Sequence, residues 1–109
     1  MYVHVEAPDE CGHQGRADLK TASIEKIDEL ILGPVLGALR AAGEPFRVLV
    51  LPDHPTPVEI RNHSIEPVPF ILYDSEREEE GVPSFTEAAC AAKGDYLPEG
   101  CRLLGELIR

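Results

Sequence analysis

The sequence lacks any apolar stretch approaching the roughly 20 residues needed to cross a bilayer, and acidic and polar residues arrive by Glu6 without the basic start of a signal peptide. Basic residues are also scarce, since 10 Lys and Arg stand against 20 Asp and Glu for a formal net charge of −10. Such a charge would repel a phosphate backbone. These absences argue against a membrane protein and against a nucleic-acid-binding protein.

Cysteine is sparse as well. Cys11, Cys90 and Cys101 are odd in number and show no CxxC spacing. A disulfide framework and a Cys-rich zinc site are therefore unsupported, and a reducing, cytoplasmic location is expected. Cys11 is interpreted as a small buried residue in a turn, with a soft metal ligand as the alternative.

No internal repeat and no linker divides the chain, so residues 1–109 are predicted to form a single domain. An alternating strand, Tyr2–Glu6 with Val3 to Val5 at its centre, follows Met1 directly. This start suggests a segment of a longer protein. His4 on that strand is interpreted as a core histidine, or as one that orients a metal ligand, rather than as a ligand itself.

Apolar periodicity predicts an alternation of helices and strands. Residues repeating every three or four positions predict a helix over Asp18–Ala42, ended by Gly43 and kinked near Leu32–Gly33 because of Pro34. Nearly continuous apolar runs predict strands buried on both faces. The strands are expected at Phe46–Leu51 and Val68–Tyr73. The remaining helices are expected at Phe85–Lys93, with Ser84 as N-cap, and at the end of Leu97–Arg109. The order of elements indicates an α/β layered domain.

Carboxylates and imidazoles cluster in the connections after two predicted strands. Asp9 and His13 are four residues apart, which places both on one side of a helical turn. Asp53 and His54 stand together in a proline-rich turn, and His63 lies in a later polar loop. A capping Asp, an ordinary Pro-Asp turn or a surface His would each explain one of these features alone.

Taken together, the five side chains predict a metal site. Because the carboxyl ends of parallel strands open on one edge of a sheet, the two Asp-His sets should meet there. If His63 joins them, the strand Val68–Tyr73 should run antiparallel to its neighbours. Mixed nitrogen and oxygen donors suit Zn²⁺ or Mn²⁺. Five donors exceed one tetrahedral site and suggest two ions about 3.5–4 Å apart, as in phosphoryl transfer and hydrolysis.

The motifs that carry these residues resemble one protein family. They are HVEAPDECGHQG (His4–Gly15), LPDHPTP (Leu51–Pro57), RNHS (Arg61–Ser64) and PVPF (Pro67–Phe70). This combination is similar to the 2,3-bisphosphoglycerate-independent phosphoglycerate mutases of the archaeal-type branch, within the alkaline phosphatase superfamily. The resemblance covers nearly the whole chain. It implies a three-layer α/β/α sandwich with a mixed, mostly parallel sheet, of which this chain would be the C-terminal portion.

The resemblance also implies roles for the five donors. Asp9, His13 and His63 would hold one metal ion, and Asp53 with His54 would hold a second. Mn²⁺ is the usual ion, with Zn²⁺ or Co²⁺ as alternatives. The nucleophilic Ser lies outside this chain. The four serines present, Ser23, Ser64, Ser75 and Ser84, do not match its motif. Cys11 and Arg16 depart from the usual pattern without removing a ligand.

The implied activity interconverts 3- and 2-phosphoglycerate through a phosphoserine, and this segment is expected to be inactive alone, with the missing N-terminal part as its partner. Two alternatives remain open: a metal-binding or interaction module without catalysis, and a related phosphotransferase or phosphatase that acts on another substrate. The residues that would select the substrate lie outside this sequence.

Overall fold

The computed structural model describes residues 1–108, which fold into helices and one small sheet. In chain order the elements are α1 (Ala7–His13), α2 (Ala17–Ile27), a π-helical turn (Asp28–Leu32), α3 (Gly33–Ala42), β1 (Arg47–Val50), β2 (Ile71–Asp74), α4 (Glu87–Lys93), a 3₁₀ turn (Gly100–Arg102) and α5 (Leu103–Ile108). The mixture of helices and strands agrees with the α/β class. No helix in the described part of the chain is long and apolar enough to cross a membrane.

These elements group into two compact units. The helical unit comprises Met1–Glu44 and His54–Glu66, and the sheet unit comprises Pro45–Asp53 and the chain from Pro67 onward. The single domain over residues 1–109 stays a prediction.

The strand predicted at Tyr2–Glu6 is wrong, because this segment has no regular structure and His4 within it is exposed. No strand in residues 1–108 pairs with it. The chain instead enters α1 at Ala7, with Pro8 in the first turn, where its missing N–H costs no helical hydrogen bond. The loop expected over Asp9–His13 is therefore helical, as the four-residue spacing had indicated.

Helix α1 ends in a Schellman motif. The N–H of Gly15 donates to the Gly12 carbonyl, and the N–H of Arg16 donates to the Cys11 carbonyl. Gly15 adopts φ +68°, a left-handed conformation that glycine reaches without the penalty of a Cβ. This tight ending turns the chain directly into α2.

The helix predicted over Asp18–Ala42 is confirmed as a continuous helical stretch, with one change of hydrogen-bond pattern. The irregularity expected near Leu32–Gly33 takes the form of the π-helical turn at Asp28–Leu32, and the N–H of Gly33 donates to the Asp28 carbonyl five residues back. Gly43 caps α3 as predicted, with φ +71°.

In the sheet unit, β1 and β2 form a two-stranded antiparallel sheet with Arg47 opposite Asp74 and Val50 opposite Ile71. The antiparallel direction expected for the second strand is thus confirmed. Burial on both faces is wrong for the described chain, because Val48 to Val50 are only half-buried and Leu51 is 41% exposed. Among residues 1–108 the sheet has only these two strands, whose residues are half-buried or exposed.

The C-terminal helices follow the prediction closely. Helix α4 begins at Glu87, and its N-cap is Thr86 rather than Ser84, since the Thr86 hydroxyl accepts from the Ala89 N–H at 3.1 Å. Helix α5 contributes Leu103, a buried hydrophobic side chain. The end of the predicted helix, Arg109, lies outside the described residues.

Candidate metal centre

Three of the five predicted ligands meet in the helical unit. His63 Nε2 lies 3.1 Å from Asp9 Oδ1 and 3.2 Å from His13 Nε2, and His13 Nε2 lies 3.3 Å from Asp9 Oδ2. Asp9 and His13 face the same way because they are one turn apart in α1. His63 comes from a loop 50 residues later in the sequence, so the fold and not local spacing brings it to the pair.

The spacing of these atoms suits a cation. A tetrahedral ion with bonds of about 2.0–2.1 Å separates its ligand atoms by about 3.3–3.4 Å; an octahedral ion with bonds of about 2.1 Å separates neighbouring ligands by about 3.0 Å. The three separations, 3.1–3.3 Å, lie within this range, and the two that involve Asp9 run to Oδ1 from His63 and to Oδ2 from His13. The donor set of two imidazoles and one carboxylate fits Zn²⁺, Mn²⁺ or Co²⁺, and the side chains are 36–49% exposed, so an ion can enter.

The other ring nitrogen of His13, Nδ1, contacts a backbone carbonyl. His13 Nδ1 lies 3.0 Å from the Arg61 carbonyl oxygen, which can only accept a hydrogen bond. Nδ1 therefore carries a proton, so that in the neutral form of the ring the lone pair is on Nε2, the atom that faces Asp9 and His63. A ligating histidine is commonly oriented by such a hydrogen bond from its other nitrogen.

Arg61 has an unusual backbone conformation at this contact. Its φ of 52° lies in the left-handed region, which a non-glycine residue adopts at a cost. Its side chain lies against Gly15 so closely that a Cβ there would meet the guanidinium. The left-handed backbone at Arg61 thus accompanies the carbonyl contact to His13.

The Asp9 carboxylate is fixed by a hydroxyl. Thr56 Oγ1 donates to Asp9 Oδ1 at 2.6 Å, and this hydrogen bond is the main cause that lowers the pKa of Asp9 below its ordinary value. Burial is the second largest effect and raises the pKa of Asp9, and positive charge on the nearby imidazoles of His13, His63 and His54 lowers it by smaller amounts each. An ionised carboxylate with a fixed orientation is the form that binds a cation.

Thr56 is the functional residue that sequence reasoning missed. It is only 4% exposed, and its carbonyl accepts from Lys20 Nζ of α2 at 2.7 Å. Gly12 of α1 approaches it so closely that a Cβ on Gly12 would lie 2.5 Å from the Thr56 carbonyl oxygen. Gly12 is therefore needed for close packing against the loop. The available signal was a threonine between two prolines, directly after the Asp-His pair.

His54 reaches the same neighbourhood. Its ring lies against that of His63, with centroids 3.7 Å apart and planes inclined by 32°. His54 Nδ1 lies 3.3 Å from Thr56 Oγ1 and 3.3 Å from the Pro55 carbonyl oxygen. A backbone bond from the Ser64 N–H to that same carbonyl, 3.2 Å long, ties the two loop segments together.

Three other candidate residues are not among the grouped ligands Asp9, His13 and His63. Asp53 belongs to the sheet unit, where it is exposed in a bend after β1. Cys11 is half-buried in α1, and His4 is exposed, so its expected place in a core is wrong for the described chain. Asp9, His13 and His63 form the group in residues 1–108 whose ligand atoms all lie within 4.8 Å of one another.

Comparisons with known proteins identify the family of the chain. A family model described as the Metalloenzyme superfamily matches residues 1–96. The chain is 44% identical over 108 residues to a 2,3-bisphosphoglycerate-independent phosphoglycerate mutase of Methanothrix thermoacetophila, covering 99% of this chain and 28% of that protein. A protein of Methanothermobacter thermautotrophicus, named 2,3-bisphosphoglycerate-independent phosphoglycerate mutase 2, is 51% identical over 87 residues, covering 80% of this chain and 21% of that protein.

A relative in Geobacter sulfurreducens, named probable 2,3-bisphosphoglycerate-independent phosphoglycerate mutase, is 39% identical over 109 residues, covering 99% of this chain and 27% of that protein. The chain therefore spans between a fifth and 28% of the length of these curated relatives. No solved structure matches it. The resemblance to phosphoglycerate mutases seen in the sequence motifs is confirmed.

Proposed function

Because the chain belongs to the Metalloenzyme superfamily, we propose that it is the metal-binding, C-terminal part of a cofactor-independent phosphoglycerate mutase. The observation that carries the proposal is the convergence of Asp9, His13 and His63 at separations of 3.1–3.3 Å. The relatives that match nearly the whole chain bear the name of this enzyme. The rest of the catalytic domain, a three-layer α/β/α sandwich, would come from sequence beyond this chain.

Two ions complete the proposal. Asp9, His13 and His63 hold the first, and Asp53 with His54 hold the second together with groups from the rest of the protein. Imidazole nitrogens favour Mn²⁺, Co²⁺ or Zn²⁺ over Ca²⁺ and Mg²⁺, which prefer all-oxygen sites. Mn²⁺ is the ion we assign. The two-ligand site should bind weakly without its other ligands.

The chemistry follows from the ligands. Bound cations would lower the pKa of the nucleophilic Ser, supplied from outside this chain, and neutralise charge on the transferring phosphoryl oxygens. The residues present here do the holding: Thr56 keeps the Asp9 carboxylate ionised and oriented, and the Arg61 carbonyl keeps the Nε2 lone pair of His13 directed at the ion. The substrate of the intact protein is 3-phosphoglycerate, interconverted with 2-phosphoglycerate through a phosphoserine.

Metal binding is the first test. Calorimetry with Mn²⁺ on the metal-free intact gene product should show that His13→Ala and His63→Ala each abolish the tighter binding event, because each removes one of three ligands. His4→Ala is the matched control, an exposed histidine near the start of the chain, and should leave that event unchanged. Equal losses in all three variants would refute the ligand assignment.

Activity is the second test. The intact gene product with Mn²⁺ should convert 3-phosphoglycerate to 2-phosphoglycerate, and a metal chelator should abolish the conversion. Metal binding without any conversion would refute the mutase assignment and leave the metal site standing. Hydrolysis of other phosphate esters by the same preparation would then identify a related phosphatase.

A further inference from the structure

We propose that the Thr56 hydroxyl joins the two sets of metal ligands, as a positioning residue that orients the Asp9 carboxylate and fixes the His54 ring in its metal-binding tautomer. The inference rests on the proposed function, because it takes Asp9 and His54 as ligands of different ions. Beyond that function, Thr56 would contact neither ion, and its hydroxyl would couple the two metal sites.

The direction of each hydrogen bond follows from counting protons. A threonine hydroxyl has one hydrogen to donate. A carboxylate can only accept, so that hydrogen is committed to Asp9 Oδ1, at 2.6 Å. Toward His54 Nδ1, 3.3 Å away, the hydroxyl oxygen can then only accept. Thr56 therefore offers a donor to the first ligand set and an acceptor to the second.

The tautomer of His54 follows from the same count. Two oxygens lie 3.3 Å from Nδ1: the committed Thr56 hydroxyl and the Pro55 carbonyl, which is an acceptor by nature. Both stabilise a proton on Nδ1. The neutral ring then has its lone pair on Nε2, the arrangement found in ligating histidines whose other nitrogen is hydrogen-bonded. His13 obtains the same tautomer separately, from the Arg61 carbonyl.

Thr56 is placed to affect the ligands of both ions. Asp9 Oδ1, which accepts its hydrogen bond, also contacts His63 Nε2 at 3.1 Å, and the His63 ring stacks on His54. The residue is almost fully buried, and Lys20 Nζ holds its carbonyl. The hydroxyl therefore has little freedom to exchange partners. Loss of the hydroxyl should disturb ligands of both ions at once.

The test separates the hydroxyl from the methyl group. Thr56→Val keeps the shape and removes the hydroxyl, whereas Thr56→Ser keeps the hydroxyl and removes the methyl. In Mn²⁺ calorimetry on the intact gene product, T56V should lose affinity by about 10–100-fold, the usual effect of removing a residue that orients a ligand. T56S should remain close to wild type. Thr21→Val, the same chemical change at an exposed position of α2, is the control.

A second measurement reads the tautomer directly. ¹⁵N NMR of the histidine rings in the metal-free protein should report His54 with its proton on Nδ1 in wild type and T56S. In T56V a larger share of His54 should carry the proton on Nε2. The His13 tautomer should stay the same in all variants, since it depends on the Arg61 carbonyl. A general loosening of the loop would not select His54 in this way.

The outcomes distinguish this inference from the proposed function. Wild-type binding of Mn²⁺ with unchanged affinity and tautomer in T56V would overturn the role of Thr56 alone. A loss in T56S as large as that in T56V would also overturn it, since packing and not the hydroxyl would then be responsible. Absence of Mn²⁺ binding in wild type would overturn the proposed function, and the inference with it.

Discussion

At the scale of single residues, the site depends on one close contact between a helix and a loop. Gly12 of α1 and Thr56 of the PDHPTP segment approach each other until no side chain fits between them. Asp9 lies on the same helix, and its carboxylate accepts the Thr56 hydroxyl. The position of the loop against α1 therefore decides where the hydroxyl meets the carboxylate.

Gly12→Ala should destabilise the protein for this reason. The new Cβ would lie 2.5 Å from the Thr56 carbonyl oxygen and 2.8 Å from its Cγ2, so the loop must move. Overpacking of this kind costs about 1–3 kcal/mol of the free energy of unfolding. Chemical denaturation measures it, and Mn²⁺ affinity should fall in parallel.

Gly37→Ala is the matched control for that substitution. Gly37 lies inside α3 with nothing within 4 Å of the position its Cβ would take. Alanine there should raise stability by about 0.5–1 kcal/mol, because glycine is the poorer helix former. An equal loss in both variants would show that the Gly12 contact has no special weight.

The sequence predicted part of this site for physical reasons. Asp9 and His13 could be paired because helical spacing fixes their relation. His63 could be proposed as a partner but not positioned, since a tertiary contact brings it in. The only signal for Thr56 was its place between two prolines, because its importance lies in one hydrogen bond and in burial, and neither property is visible in residue type.

At the scale of elements, the helix departs from regular α-helical hydrogen bonding just before Pro34. Proline has no N–H to donate and crowds the carbonyl four residues earlier, which predicts a kink. A π-helical turn lies just before it, over Asp28–Leu32. The wider turn changes the hydrogen-bond register without ending the helix. The sequence could locate the disturbance, but not its hydrogen-bond pattern.

The strand pair is held in register by charge as well as by backbone. Arg47 and Asp74 face each other across β1 and β2, and Arg47 Nε donates to Asp74 Oδ2 at 3.0 Å. The pKa of Asp74 is lowered below its ordinary value, first by the backbone N–H of Glu76, which donates to Oδ1 at 2.9 Å, and then by Arg47.

Arg47→Met should therefore raise the pKa of Asp74 without returning it to the ordinary value of 3.8, because the Glu76 N–H remains. A carboxyl group whose pKa is lowered by folding stabilises the protein at pH values above its unfolded-state pKa. This stabilisation is lost as the pH falls through its folded-state pKa. NMR titration of the carboxyl groups measures the pKa of Asp74 in the wild type and in R47M.

Asp18 is the internal control for this titration. Its pKa is lowered chiefly by a hydrogen bond from Arg16, which Arg47→Met does not touch. The pKa of Asp18 should be the same in both proteins. No change at Asp74 would mean that the cross-strand pair does not form in solution.

At the scale of the whole molecule, two apolar runs predict more burial than residues 1–108 show. The runs in Phe46–Leu51 and Val68–Tyr73 predicted strands buried on both faces, yet Ile71 and Leu72 are each 39% exposed. The chain spans 28% or less of its three cited relatives. Under the proposed function, the rest of the catalytic domain would cover these strands, so the burial signal would be correct for the intact protein.

Metal binding should stabilise that intact protein in a way that depends on the donor atoms. An ion that binds only the folded state adds free energy of unfolding by mass action, about 2.7 kcal/mol at a concentration 100 times its dissociation constant. Thermal unfolding should therefore shift upward with Mn²⁺ and return with a chelator. Ca²⁺ at the same concentration should produce a smaller shift, since two of the three clustered ligands are nitrogens and Ca²⁺ takes oxygen. His63→Ala should remove most of the Mn²⁺ shift, because it leaves one nitrogen and one carboxylate at the cluster. An undiminished shift in that variant would mean that the stabilising ion binds elsewhere.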